Sequence, residues 1–377
     1  MRAHLLESNQ LTTGQAHHAF TSLVQWRDAW YCAYREAPSH GITPPGHLVV
    51  HTLTPPLRTN TTHGRGPWTL ADTPTWATHQ ITTLAHPVGD VRDPRLIVTD
   101  EALHLLCGVY LPDARHQHWH GLSEHATSNI LVSHVAHTTD GVTWSPLRPI
   151  LAPNHWAWGA IVMEKLWWVA SYSMGTVHDT ATTLTLSAGV DPWHLVYCAT
   201  LYDGASLERS GDDFCFPHRL PSEPVLWQPA PDILACAVRT EGGMDSGISQ
   251  YPYARWRWHN TQRPLHPSAI LHTPYGWLLA ARAVRTTQDT SLRVNRDPDA
   301  PERLLTRTSW HTTLHQLSPG FHVPQPLLTL PSFGDTGYAG LCAGPTPDTV
   351  CMSWYGQPQD SQLPGAQVSV ATIRVEA

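Results

Sequence analysis

Residues 221–241 read PSEPVLWQPAPDILACAVRTE, which predicts a strand, a tight turn and a second strand that ends with an arginine. The same arrangement recurs in WRDAWYCAYRE at 26–36 and in HPSAILHTPYGWLLAARA at 266–283. In each copy an arginine lies near the end of the second strand. These equivalent residues are Arg35, Arg239 and Arg282. The chain is therefore expected to contain a repeated structural unit.

Three more copies extend the repeat to six, and they cover residues 92–110, 156–173 and 337–356. The six turns centre near positions 28, 100, 164, 232, 276 and 348, and further strand-like sequence follows several units. Four strands per unit at such a period are typical of a β-propeller blade. We therefore predict an all-β fold, a six-bladed β-propeller with four-stranded antiparallel blades, which occupies residues 1–377 as a single domain.

The last apolar stretch, QVSVATIRV at 367–375, alternates as a strand does. We expect it to close the ring by pairing with sequence around residues 12–24, because closure removes exposed sheet edges. Composition agrees with an all-β fold, since 33 Pro and 25 Gly break helices and keep strands short.

Charge and composition argue against several kinds of partner. A net charge of −7 and a pI near 6.4 disfavour nucleic acid, which needs a basic surface. No apolar run approaches the roughly 18 residues that span a membrane, and the N-terminus lacks the apolar segment of a signal peptide. We therefore expect a soluble, cytoplasmic protein with no membrane partner. Zinc-type Cys/His spacings are missing, and His116, His118 and His120 read as a surface loop, so we expect neither metal nor cofactor.

The geometry of the repeat collects polar residues on one face of the propeller. In each unit the first strand starts at the edge where the second strand ends, so residues near the first-strand starts share a face with the three arginines. These residues are His17, His18, Asp90, Arg92, Asp93, Arg95, Glu223, His266, Ser268, Asp335 and Tyr338. Guanidiniums that meet on one axis can bind a carboxylate through their planar forks. Carboxylates and a tyrosine add groups for acid/base or nucleophilic chemistry.

Each candidate also has a structural interpretation. Asp93 precedes a proline and fits a turn, Glu223 fits the capped entry of a strand, and Tyr338 fits core packing. Each arginine can equally pair with a local acid. Trp156 at a strand start can stack on a sugar or pack between blades. We predict carbohydrate as the partner, with binding residues that include, besides the three arginines, Arg92, His18 and Trp156.

Several of these segments resemble the sialidase superfamily, the neuraminidase and BNR/Asp-box group of six-bladed propellers. WYCAYREAPSH at 30–40 resembles the first-blade arginine segment, and TTDGVTW at 138–144 resembles a degenerate Asp-box turn between third and fourth strands. SEP at 222–224 lies where the family has an Asn-Glu pair. GDTGYAGL at 334–341 resembles the segment with the catalytic tyrosine.

The resemblance implies a sialidase-like glycoside hydrolase that acts on an acidic sugar. Arg35, Arg239 and Arg282 would clamp the substrate carboxylate. Tyr338 would be the nucleophile at the anomeric carbon, and Glu223 the base that activates it. This is the tyrosine exception among glycosidases, in which a neutral phenol replaces a carboxylate that an anionic sugar would repel.

The acid that protonates the leaving group has no matching motif, because residues 37–71 contain no Asp or Glu. In the family this acid follows soon after the first arginine. By position on the arginine face we expect Asp93 to be the acid, followed by Asp90, with Asp72 as the first carboxylate along the chain.

Two other functions are consistent with the sequence. VRDPRL at 91–96 resembles the Arg-Asp-Pro segment of five-bladed furanosidases that use central carboxylates, and Asp93 and Glu223 would serve there. A non-catalytic carbohydrate-binding propeller is the second alternative, because propellers carry many unrelated functions.

Overall fold

Antiparallel hairpins fold the chain into six four-stranded sheets in the computed structural model. The structure describes residues 1–55, 76–112, 129–173, 183–202, 221–240, 243–261, 263–284, 310–318, 324–357 and 365–377. Throughout these ranges the regular secondary structure is β-strand, so the predicted all-β class is confirmed. Within the described residues, no helix is long and apolar enough to cross a bilayer.

Blades I to V are each a meander of four consecutive strands. Blade I contains β2 (His17–Trp26), β3 (Ala29–Ala37), β4 (His47–Thr54) and β5 (Ala77–Leu84). Blade II contains β6 (Asp90–Val98), β7 (Leu103–Pro112), β8 (Asn129–Thr138) and β9 (Arg148–Ile150). Blade III contains β10 (His155–Met163), β11 (Leu166–Ser173), β12 (Leu184–Gly189) and β13 (Val196–Tyr202). Blade IV contains β14 (Ser222–Ala230), β15 (Ile233–Thr240), β16 (Gly243–Gln250) and β17 (Arg257–Asn260). Blade V contains β18 (Leu265–Thr273), β19 (Gly276–Val284), β20 (Trp310–Leu317) and β21 (Pro324–Thr329).

Blade VI joins the two ends of the chain. It contains β22 (Phe333–Ala343), β23 (Thr349–Gln357) and β24 (Gln367–Glu376), with β1 (Arg2–Gln10) as its outer strand. β24 therefore pairs with residues 2–10, and not with residues around 12–24 as expected from the sequence. The expectation was wrong because most of that stretch belongs to β2, the first strand of blade I.

The first strands of the blades surround the central axis, because their contacts form a closed cycle. β2 packs against β6, β6 against β10, β10 against β14, β14 against β18, β18 against β22, and β22 against β2. The six hairpins read from the sequence are the six inner hairpins of this ring. The predicted six-bladed propeller is thus confirmed.

Apolar side chains fill the space between neighbouring blades. Between blades I and II, Tyr31 and Leu48 pack with Leu103, Leu105 and Val109, and none of these is more than 6% exposed. Burial of apolar surface contributes roughly 25 cal/mol per Å². The packed blades give the axis a fixed frame on which side chains can be positioned.

Aspartates close two of the turns between third and fourth strands. Asp140, between β8 and β9, accepts hydrogen bonds at 2.8 Å from the backbone N–H groups two and three residues later. Asp191, between β12 and β13, accepts the equivalent pair at 2.9 Å. Such side-chain to backbone bonds define an Asx turn. They account for TTDGVTW at 138–144, and for SAGVDPW at 187–193, as turn chemistry.

One irregularity repeats in every inner hairpin. The register between first and second strand shifts in every blade, after Ala19, Arg92, Ala157, Ser222, Pro267 and Gly337, and blades IV and VI each have one further shift. A β-bulge of this kind re-aims the side chain that it carries. We call the residues that follow these six positions the bulge ring, and they are Phe20, Asp93, Trp158, Glu223, Ser268 and Tyr338.

The bulge ring is conformationally unusual. Four of its members have positive φ, namely Phe20 at 62°, Asp93 at 54°, Glu223 at 55° and Tyr338 at 41°. The left-handed region is uncommon for residues other than glycine. Such strain persists only where the surrounding structure fixes it, and it concentrates at functional sites. The inner strands therefore present these side chains at the axis at a conformational cost.

Candidate functional site

Tyr338 and Glu223 meet across the axis from blades VI and IV. The Tyr338 hydroxyl donates a hydrogen bond to Glu223 Oε1 at 2.7 Å, within the distance that proton transfer requires. Arg239 Nη1 donates to the same oxygen at 2.6 Å. The second oxygen, Glu223 Oε2, is buried and accepts no hydrogen bond from the described residues. The pair is thus assembled, with one carboxylate oxygen unused.

Local backbone geometry explains how Glu223 reaches both partners. Arg239 lies directly opposite Ser222 in the β14–β15 pairing, so the bulge at Glu223 turns its carboxylate towards that arginine. Tyr338 follows Gly337, whose φ is 145°. A Cβ at Gly337 would lie 3.1 Å from Arg282 Cδ, so glycine is also needed to admit that arginine.

The Tyr338 phenol is held in its neutral form. Burial raises the pKa of this phenol, and Glu223 raises it further, whereas Arg239 and Arg282 act in the opposite direction. A phenol with a raised pKa becomes nucleophilic only when a base removes its proton. Glu223 is hydrogen-bonded to the phenol and has the position of that base.

Aromatic rings enclose Tyr338 on several sides. Its ring centroid lies 5.3 Å from that of Phe20 and 5.5 Å from that of Trp158, both in edge-on orientation. Tyr355 stacks behind it at 6.3 Å with an interplanar angle of 13°. Phe20 and Trp158 belong to the bulge ring, and Phe20 is absent from the candidates named from the sequence. Strand periodicity does not single out these two residues, because a bulge interrupts the alternation of the strand.

Arg282 reaches the Tyr338 ring from β19, the second strand of blade V. Its guanidinium carbon is 5.8 Å from the centre of the Tyr338 ring and 4.7 Å from that of Trp310. Arg282 Nε and Nη2 lie 3.2 and 2.7 Å from His266 Nδ1. Burial, Arg282 and Arg239 all lower the pKa of His266, so its imidazole is neutral and accepts the bond.

Asp93 is the second buried carboxylate of the bulge ring besides Glu223, with only 5% of the residue exposed. Burial raises the pKa of this carboxyl, and Glu223 adds to the rise, while Arg92 and Arg95 oppose it. The net shift is upward, which favours the protonated acid. Arg92 Nε lies 3.3 Å from Asp93 Oδ2, so the two groups form an ion pair when the carboxyl group is ionised.

Arg95 places a second guanidinium beside Tyr338. Its guanidinium carbon lies 4.4 Å above the ring of Trp158 and 5.8 Å from that of Tyr338. Arg95 Nε and Nη2 are buried and have no hydrogen-bond partner among the described residues. From the sequence, Arg95 was expected on the arginine face, but it was not predicted to bind substrate. Its unused donors make it a better anion-binding group than that position suggested.

Arg35 differs from the other two predicted clamp arginines. It is fully buried, and its Nε and Nη2 donate to Asp90 Oδ1 at 3.1 and 2.6 Å. Its Nη1 donates to the carbonyl of Ser39 at 2.9 Å. Asp90 is 2% exposed and also accepts from the backbone N–H of Gly46. The expectation that Arg35 clamps substrate and that Asp90 supplies a proton is corrected, because both groups are committed to this structural pair.

The remaining candidates have local partners. His18 Nε2 lies 2.9 Å from Glu36 and the residue is 4% exposed. Trp156 is 6% exposed and stacks on Tyr172, so it packs in the core and does not present a face for a sugar. Arg92 is 9% exposed and lies 4.7 Å from the ring of Phe20. The positions of Asp72, His116, His118 and His120 lie outside the described residues.

Comparison with known proteins identifies the fold and not a family. No protein-family model and no curated protein matches the chain. Among solved structures it is similar to a Trypanosoma rangeli sialidase bound to the inhibitor DANA, with a TM-score of 0.56 and 12% identity over 94% of this chain and 55% of that one. The endosialidase of phage phi92 is similar with a TM-score of 0.60 and 9% identity, over 98% of this chain and 69% of that one. A mutant α-L-arabinofuranosidase from Fusarium graminearum with an iminosugar inhibitor is similar with a TM-score of 0.59 and 10% identity, over 95% of this chain and 93% of that one.

These similarities establish a shared six-bladed architecture. The chain spans little more than half the length of the Trypanosoma sialidase but nearly the whole of the arabinofuranosidase. At such identities the substrates and reactions of these proteins do not transfer with the fold.

Proposed function

We propose that this protein is a retaining glycoside hydrolase that acts on an acidic sugar through a tyrosine nucleophile. The observation that carries the proposal is the 2.7 Å contact between the Tyr338 hydroxyl and Glu223 Oε1, with Arg239 at 2.6 Å from the same oxygen. A buried phenol, a paired carboxylate and nearby guanidiniums meet at one place. Those are the groups that the sialidase-like reaction needs.

In the first half of the reaction, Glu223 removes the phenol proton as Tyr338 Oη bonds to the anomeric carbon. The glycosidic bond breaks, and the leaving oxygen takes a proton from a carboxylic acid. Asp93 has the properties of this acid, because burial raises its pKa and keeps the proton available. In the second half, ionised Asp93 deprotonates a water that attacks the anomeric carbon. Glu223 then returns its proton to the departing Tyr338 oxygen.

The arginines that bind the substrate carboxylate differ from the predicted set, since Arg95 takes the place of Arg35. Arg239, Arg282 and Arg95 all lie around Tyr338, and Arg95 has unused donors. An anionic substrate also explains the choice of nucleophile, since a neutral phenol does not repel it as a carboxylate would. Each charge-assisted hydrogen bond contributes about 1.5–3 kcal/mol.

Replacement of the nucleophile tests the proposal. In Tyr338→Phe, turnover of an aryl glycoside of sialic acid should fall by at least about 100-fold, because a positioned proton-transfer pair contributes about 10²–10⁴. Binding of a sialic acid analogue, measured by calorimetry, should persist. Tyr34→Phe is the matched control, since this buried tyrosine bonds to His51 away from the axis. Full activity in Tyr338→Phe would contradict the tyrosine mechanism.

A furanosidase is the second candidate. Asp93 and Glu223 are both carboxylates of the bulge ring with positive φ, and the arabinofuranosidase covers this chain and its own almost completely. In this case an aryl arabinofuranoside is the substrate, and Tyr338→Phe retains activity whereas Asp93→Asn and Glu223→Gln lose it. If none of the aryl glycosides is hydrolysed but the sugar still binds, the carbohydrate-binding alternative holds.

A further inference from the structure

We propose that His17, His40 and Asp335 form a binding site for a divalent transition metal at the seam between blades I and VI. His17 Nε2, His40 Nδ1 and an oxygen of Asp335 all lie within 4.8 Å of one another. Two imidazole nitrogens and a carboxylate oxygen are the donor set of open zinc sites, in which a water completes the coordination. The site is independent of the Tyr338–Glu223 pair and of the reaction proposed for it.

The fold brings the three ligands together from separate parts of the chain. His17 is the first residue of β2, and His40 lies in the connection between β3 and β4. Asp335 comes from β22, the inner strand that packs against β2. Each ligand is therefore held by a different segment, and no short motif announces the site. The sequence-based expectation of no metal was formed from spacings along the chain, which cannot detect it.

The three side chains already lie close enough together to bind an ion after a small adjustment. His17 Nε2 and His40 Nδ1 lie 2.8 and 2.5 Å from the same oxygen, Asp335 Oδ2. Zinc lies about 2.0–2.2 Å from such donors, which in a tetrahedral site puts the donors roughly 3.3–3.5 Å apart. The required expansion is therefore less than about 1 Å. His40 can supply it, because its side chain is 55% exposed on a connecting segment.

The three ligands differ in exposure. An ion can enter from the solvent at His40, and the buried His17 lies on the inner side of the site. The His17 side chain is 5% exposed and Asp335 is 23% exposed, whereas His40 faces solvent. The His40 ring lies 5.2 Å from Phe20, which in turn contacts Tyr338. An ion at this position cross-links blade I to blade VI, close to the axis. Because it binds only the folded ring, it should stabilise that ring by mass action.

The donor set selects the probe. Imidazole and carboxylate ligands in a tetrahedral site suit Zn²⁺, and Co²⁺ replaces it with a visible absorption spectrum that reports the coordination. Tag-free, chelator-treated protein should bind one tight equivalent of Co²⁺ with tetrahedral-type absorption, and Zn²⁺ should displace it. Zn²⁺ should also raise the melting temperature of the whole chain.

Ligand variants decide whether this site is responsible. His17→Ala, His40→Ala and Asp335→Asn should each weaken Co²⁺ binding by more than the roughly 10–100-fold that loss of an outer partner costs. They should also lose the stabilisation by Zn²⁺. His18→Ala is the matched control, since this neighbouring histidine pairs with Glu36 outside the cluster, and its Co²⁺ affinity should be that of the wild type. His4→Ala controls for binding by exposed histidines, because its side chain is 54% exposed on β1.

The proposal fails if the wild type binds Co²⁺ no more tightly than Asp335→Asn, or if Zn²⁺ leaves the melting temperatures of both unchanged. His40→Ala protects the test against a folding defect, because it alters an exposed side chain on a connection. A folded His40→Ala protein with wild-type Co²⁺ affinity and spectrum would overturn the site.

Discussion

Two arginine–carboxylate pairs in this propeller occupy equivalent places in their blades but differ in burial and in hydrogen bonding. Arg35 is fully buried and binds Asp90 and the connection after β3. Arg239 has a side chain 33% exposed and donates through Nη1 to one oxygen of Glu223, whereas all three guanidinium nitrogens of Arg35 donate hydrogen bonds. Both arginines end the second strand of their blade. The difference teaches that the exposure and the spare donors of an arginine, and not its repeat position, distinguish a group that can bind a ligand from a structural one.

The largest expected effect is on stability, at the first pair. Arg35→Met should lower the free energy of unfolding by about 3–5 kcal/mol, because it leaves the Asp90 charge buried without its partner. Arg239→Met should cost less than Arg35→Met, because the Arg239 side chain is 33% exposed whereas Arg35 is fully buried. Urea unfolding of both variants measures the contrast. Equal losses would mean that the two pairs do not differ in the way described.

The second largest effect is expected on substrate binding, in a variant of Arg95, which belongs to the proposed carboxylate-binding cluster. Arg95→Met should weaken binding of an acidic sugar by about 1.5–3 kcal/mol, because a charge-assisted hydrogen bond is lost. Titration calorimetry with a sialic acid analogue gives the value. Arg148→Met is the control, since Arg148 lies 5.5 Å over Trp193 in a comparable stacked contact away from the axis. If Arg95→Met binds as the wild type does, Arg95 is not part of the clamp.

The smallest effect concerns pH. The pKa of Asp93 is raised in the folded protein by burial and by Glu223, although Arg92 and Arg95 oppose the shift. The folded state therefore binds more protons than the unfolded chain above about pH 4, the ordinary pKa of Asp. Stability must then fall as pH rises through the window between the unfolded and folded pKa values.

Asp93→Asn removes this titration, so its free energy of unfolding should decline less steeply with pH across that window. Urea unfolding at a series of pH values compares the two slopes, and Asp191→Asn serves as a surface control. A steeper decline in Asp93→Asn would show that the shift has the opposite sign.

The sequence predicted the parts of the molecule that repeat. The six hairpin units predicted the propeller. Because these hairpins share an edge, they also placed Tyr338 and Glu223 on one face, where the Tyr338 hydroxyl lies 2.7 Å from Glu223 Oε1. Their 115-residue separation carried no local signal, so the pairing followed from the repeat geometry, which places both residues on one face, together with the resemblance of their segments to those of sialidases.

The remaining features depend on contacts that no single unit encodes. The role of Arg35 is set by Asp90 in the next blade, 55 residues away. Trp158 and Arg95 reach Tyr338 because bulges re-aim side chains out of the strand alternation. His17 and Asp335 meet across 318 residues at the seam of the ring. Such features follow from blade-to-blade packing, which a strand pattern does not specify.

The central claim is that Tyr338 bonds covalently to the sugar. Incubation with a difluorinated sialic acid, which slows breakdown of a glycosyl-enzyme, followed by peptide mass spectrometry tests it most directly. We expect a single sugar adduct on Tyr338 in the wild type, and no adduct in Tyr338→Phe. An adduct on Glu223 or Asp93, or an unmodified Tyr338 in protein that hydrolyses the aryl sialoside, would contradict the claim.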